Sequence, residues 1–201
     1  MSVAMSDKRN IKDLSIDSLE IAECNLLMSI KGVTPENVNK QISPEINPIA
    51  WVIGHCADQM DSFFGLWCQG KRMLIEKQHA LFRFGASKET IKEALPLSFG
   101  EIVHNYLRIS DSSFSFLKGL SEGEFSKVPK DHPSHLNQES LLQLIQRTSL
   151  HFMGHMGQIL IIRRALGNPG LSFVSGLKKE KREKIMKSWN IWWDENKAKF
   201  V

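Results

Sequence analysis

The sequence predicts an all-α protein: a four-helix bundle with one additional helix at its C-terminal end. Three observations carry this. Apolar residues recur at the helical period over several long stretches, helix start and stop signals bracket those stretches, and no segment alternates as a half-buried strand would. With 201 residues, 42% hydrophobic and 24% charged, the chain is long enough to bury a core without staples and ordinary enough to fold as one domain. Residues 1–201 are read as that single domain, with the bundle over about 11–170 and the additional helix over about 177–197.

Each element has its own signals. In the first helix, roughly Ser15 to Lys31, the residues Leu19, Ala22, Cys24, Leu26, Leu27 and Ile30 form an apolar stripe that Gly32 ends. Thr34-Pro35-Glu36 reads as a short helical turn, with Thr34 as cap and Pro35 at the first helical position. Asn47-Pro48 opens the second long helix, along which Val52, Ile53, Cys56, Met60, Phe63, Phe64 and Trp67 keep the spacing until Gly70. Residues 71 to 97, with Phe82-Arg83-Phe84-Gly85 and Pro96, read as an irregular connection holding one helical turn. Connections of that length in a compact bundle often border a site. Ser98-Phe99-Gly100-Glu101 is a capping box opening the third helix, whose stripe runs through Ile102, Tyr106, Ile109, Ser113, Leu117 and Leu120. After a loop over 121–136, Asn137 is the expected cap of a fourth helix reaching Leu166, stopped by Gly167-Asn168-Pro169-Gly170. A fifth helix, about Leu177 to Lys197, is expected to bury Ile185, Trp189, Trp192 and Trp193.

Several function classes are disfavoured. The N-terminal stretch has no apolar run of the signal-peptide kind, and no segment approaches the ~18 consecutive apolar residues of a membrane span. Cys24, Cys56 and Cys68 are odd in number and lack CxxC spacing, which suits free thiols in a reducing compartment. Cytoplasm is the expected location, with no membrane partner. The net charge of +4 owes much to Lys178–Lys187, where mixed signs suit a solvated helix face. No nucleic-acid-reading motif accompanies it, so nucleic acid is not an expected partner.

The chemistry concentrates in His151-Phe152-Met153-Gly154-His155 on the fourth helix. Residues four apart lie about 40° apart around the axis, so both imidazoles leave one face and can chelate a single ion. The pair is unspecific alone. A catalytic-type site asks for a third protein ligand, and His55 on the second helix is the candidate, at the edge of the apolar face. The alternative for His55 is a hydrogen-bonded core histidine. A ligating imidazole usually passes its other N–H to a carboxylate, amide or carbonyl. Asp58 and Gln59, one turn from His55, and Gln158, one turn from His155, are the candidates for that role; the alternative is that they are solvated or capping polar side chains with no part in the site. His132 and His135, separated by Pro133, read as exposed loop residues; His79 and His104 lack partners in sequence. Cys56 points about 100° away from His55 and reads as a small buried hydrophobe. No nucleophile triad, phosphate loop or HExxH pattern is visible, and the catalytic residues stay unassigned.

Taken together, Asn47-Pro48-Ile49-Ala50-Trp51-Val52-Ile53-Gly54-His55 and His151-x-x-x-His155-x-Gly157-Gln158-Ile159, followed by Arg164-x-x-Gly167, resemble the DinB/YfiT-like family of four-helix-bundle metalloenzymes. The resemblance covers about residues 11 to 170. It implies a zinc or nickel ion on His55, His151 and His155. It also implies thiol chemistry, with a low-molecular-weight thiol as cosubstrate beside a small-molecule substrate, and a homodimer. The function expected by analogy is a metal-dependent transferase or isomerase. A metal-dependent hydrolase and a non-catalytic, dimeric, stress-related bundle are the alternatives. Fold-level analogy alone does not fix a reaction.

Overall fold

The computed structural model describes residues 10–86, 95, 97–170 and 177–201. Its helices are α1 (Ile11–Ile30), α2 (Pro35–Val38), α3 (Ile49–Met60), α4 (Glu76–Phe82), α5 (Phe99–Gly119), α6 (Leu141–Ala165) and α7 (Lys179–Asn196). Among the described residues the only β-type contact is an isolated bridge between Ser43 and Ile46. No described helix is long and apolar enough to cross a membrane.

The four long helices α1, α3, α5 and α6 form the bundle, with α1 against α6 and α3 against both α5 and α6. Residues from all four, including Leu26, Ile53, Tyr106 and Phe152, are fully buried at its centre. The stop signals act through backbone geometry. Gly32, Gly70 and Gly167 have φ of 80°, 67° and 71°, a left-handed conformation that any side chain would strain. At the start of α5, Ser98 and Glu101 form the expected reciprocal cap. The cap of α6 differs from expectation: it is Ser140, whose side chain accepts from the Gln143 N–H while Gln143 reaches back. Asn137 lies three residues outside, where its own third successor is a serine that cannot close such a box.

Helix α7 packs on α1 and fixes its tryptophans there. The Trp189 indole N–H donates to the Leu27 carbonyl at 2.7 Å, and Trp193 stacks on Phe200 and meets Phe99 edge-on. Trp189 and Trp193 are buried, whereas Ile185 and Trp192, expected inside, are only half-buried.

Helix α3 does not stop at Met60 but widens into a π-helical stretch, Asp61–Trp67. The Asp61 carboxylate accepts from the backbone N–H groups of Met73 and Leu74 at 3.0 and 2.9 Å. This anchors the chain after it reverses at Gly70. The anchored strand of chain leads into α4, which lies back along α3. Trp51 donates its indole N–H to the Leu81 carbonyl at 3.0 Å, and Gly54 faces the Phe82 ring so closely that a methyl group would overlap it. The described part of the 71–97 connection therefore contains a 7-residue helix docked on α3. Residues 87–94 and Pro96 of that connection lie outside the described residues.

Candidate metal centre

His55 comes from the middle of α3, and His151 and His155 from successive turns of α6. The structure brings the three together: one ring nitrogen from each lies within 4.8 Å of the others. The ring centroids of His151 and His155 are 4.3 Å apart, and His55 lies 4.9 and 5.2 Å from them. The cluster forms because α3 and α6 are packed neighbours.

Each ring is held by its Nδ1 side. His55 is 6% exposed, stacks on Trp51 at 4.8 Å, and donates Nδ1–H to the Phe82 carbonyl at 2.7 Å. His155 Nδ1 lies 2.9 Å from the Gln158 amide oxygen, to which it donates. His151 Nδ1 meets the Gln59 side-chain amide across the helix interface. Gln59 Oε1 and His151 Nε2 are both buried without a partner. Turning that amide by half a revolution, an orientation set by the hydrogen-bond network, lets Oε1 accept the Nδ1–H and gives all three histidines one tautomer. Every Nε2 is then a free lone pair.

The electrostatics favour neutral rings. Burial pushes His55 down to about 4, opposed by the Phe82 carbonyl and assisted by His155. Burial, then His155, His55 and Arg147, push His151 down to about 3; burial also lowers His155, against Gln158. Three neutral imidazoles with lone pairs free and an orphaned buried nitrogen are the donor set that zinc and nickel accept. The residues present fit such an ion.

The supporting residues are only partly those expected. Gln158 contacts His155, but Gln59 supports His151, across the interface, and not His55. Asp58 does not touch His55 in any described contact. It is buried, accepts from Arg72 at 3.0 Å and lies 2.6 Å from His79 Nδ1. Burial raises its carboxyl above the ordinary range, against His79 and Arg72. One residue earlier than Gln59, it faces α4, and its partners ride on the returning chain. The partner His55 does have is a backbone carbonyl, which no side-chain pattern announces. His132 is also a correction: it is buried against Trp67 at 4.7 Å, while His135 and His104 are exposed. Cys56 is fully buried, and burial drives its thiol well above the ordinary range.

The model of the DinB superfamily matches residues 18–159, well over half of the chain and spanning all three histidines. The chain belongs to the DinB superfamily. A crystal structure of a conserved protein from Enterococcus faecalis superposes with a TM-score of 0.63 at 16% identity, over 79% of this chain and 99% of that one. At that identity the likeness shows the fold alone. No match was found among curated proteins.

Proposed function

We propose that this DinB-superfamily chain is a metal-dependent enzyme, a thiol-dependent transferase or isomerase that uses zinc or nickel on His55, His151 and His155. The observation that carries the metal reading is the orientation of the rings. Phe82, Gln59 and Gln158 occupy the Nδ1 side of each histidine, which leaves the Nε2 atoms free for an ion in a cluster where one ring nitrogen of each lies within 4.8 Å of the others. Bound there, a divalent ion keeps coordination positions open and lowers the pKa of a thiol or water bound to it. The protein's part is to keep three rings neutral, in one tautomer and fixed in orientation, so that little reorganisation accompanies binding.

The thiol reading is preferred over hydrolysis because of what surrounds the histidines. A hydrolase needs a base to manage the proton of the attacking water. Among the described residues no carboxylate joins the three-histidine group, and Asp58 is engaged by Arg72 and His79. A thiol, far more acidic than water at about 8.5 against about 15.7, releases its proton to solvent as the ion stabilises the thiolate, and so depends less on a positioned base.

The test is metal content of protein purified without an affinity tag, beside His151→Ala and His55→Ala. About one zinc or nickel per wild-type chain is expected, with stoichiometric binding lost in both variants while helical content is retained. Full occupancy in His151→Ala would overturn the ligand assignment. A non-catalytic bundle would follow from a wild-type chain that takes up no metal on titration.

A further inference from the structure

Arg147 lies one turn before His151 on α6, and Gly154 lies one turn beyond, so residues 147, 151 and 154 share one edge of the helix. That edge is open on one side: Gly154 is exposed, and a Cβ built there would meet nothing within 4 Å. The Arg147 guanidinium is held in place. It lies over the Phe63 ring at 4.3 Å from the centroid, on the widened turn that continues α3. Its Nη1 pairs with Glu139 at 2.8 Å, yet the side chain is 43% exposed. A guanidinium presents five N–H donors, and Glu139 engages one terminal nitrogen.

A fixed cation here is unfavourable for the histidines' own task. Arg147 adds positive potential beside a group that would hold a dication, and like charges at close range oppose each other. The arrangement becomes favourable when a negative group lies between ion and guanidinium, since each then stabilises it. Arg is suited to this, because its planar fork bonds a carboxylate through two donors at once.

We propose that Arg147 is a specificity residue of this site, docking a carboxylate or similar oxyanion of the ligand that reaches the ion along the open edge of α6. The inference rests on the metal reading above and adds the charge of the ligand to it. Phe63 fixes the guanidinium plane. Glu139 restrains it and competes with the incoming anion, so the site discriminates against neutral ligands without being permanently occupied by its own arginine.

The experiment uses the full chain loaded with cobalt(II), whose visible absorption reports thiolate coordination. Wild type is titrated with mercaptoacetate and with mercaptoethanol, thiols that differ in the carboxylate. Wild type is expected to bind mercaptoacetate at least about tenfold more tightly than the neutral thiol relative to their affinities for free cobalt, the size of one charge-assisted contact. R147M, equally loaded, should bind both alike, R147K should keep part of the preference, and E139Q should strengthen mercaptoacetate binding. Cobalt loading and the melting curve of R147M serve as controls, since a merely structural role would move those. If R147M loads cobalt and keeps the full preference, Arg147 does not read the anion and this inference falls while the metal reading stands. If wild type takes up no cobalt, the metal reading falls and this one with it.

Discussion

Arg163 and His155 lie on the same helix, about two turns apart, and the bundle treats these two polar side chains in opposite ways. Arg163 is 3% exposed, and each of its nitrogens is used. Nη1 donates to the carbonyls of Ser29 and Lys31 at 2.6 and 2.8 Å, Nε to the Asn168 carbonyl and Nη2 to the Asn168 side chain. One guanidinium thus ties the end of α1 to the turn that ends α6. Toward the other end, three imidazoles are anchored on one side only, and one ring nitrogen of each lies within 4.8 Å of the others. A buried polar group whose every nitrogen is engaged is a cross-link, because its loss leaves partners stranded. A buried polar group with one atom left over is a place for something else.

That contrast is sharpest in stability. Arg163→Met should cost about 3 kcal/mol, because it strands the last carbonyls of α1 together with Asn168. The expected signature is a lower urea midpoint with little change in slope. A loss under about 1 kcal/mol would mean that solvent replaces the guanidinium at those carbonyls. Arg163 would then be no more of a structural cross-link than the histidines are.

What the sequence disclosed follows the same division. Helix periodicity, the Ser98 box and the glycine stops are local signals, and the structure repeats them. The juxtaposition of His151 and His155 follows from four-residue spacing on one helix. His55 required only that its helix pack beside theirs. Contacts that depend on the path of the chain between helices were not legible. Phe82 supports His55 through its backbone, a partner with no residue type. Asp58 looked equivalent to Gln59 because both lie near the next turn after His55. A rotation of about 100° sends one to α4 and the other to His151. His132 is buried because its loop folds back on Trp67, to whose carbonyl the neighbouring Asp131 N–H donates at 3.1 Å.

The returning α4 gives a second way to press the comparison, because it couples packing to the site. At Gly54 there is no room for a methyl group against the Phe82 ring. Gly54→Ala should therefore displace α4 and destabilise the protein by about 1–3 kcal/mol, as overpacked cores do. It should also draw the Phe82 carbonyl from His55 and weaken metal affinity by about 10–100-fold, the usual cost of losing a ligand's outer partner. Combining it with Phe82→Leu makes room for the methyl and should restore most of both quantities. If stability recovered in the double variant but affinity did not, the ring would orient the carbonyl as well as fill space.

A milder case lies between the two extremes. Glu23 on α1 faces α5, where Ser110 and Tyr106 donate hydroxyl hydrogens to its carboxylate. Burial raises its pKa from 4.5 to about 7, Ser110 and Tyr106 oppose the rise, and Asp111 and Glu20 add to it. The folded state therefore keeps a proton that the unfolded chain releases above about 4.5. The resulting stability is fully present below that pH, is lost as pH rises toward about 7, and stays lost above it. The depressed histidines act in the opposite sense over lower pH, so the quantity to measure is the difference between wild type and Glu23→Gln. Urea midpoints at pH 5 and pH 8 should show wild type losing more stability on going up in pH than the variant does. Equal changes in the two proteins would mean that solvent reaches the carboxylate, placing Glu23 with the surface acids and leaving the histidines as the bundle's one under-satisfied polar cluster among the described residues.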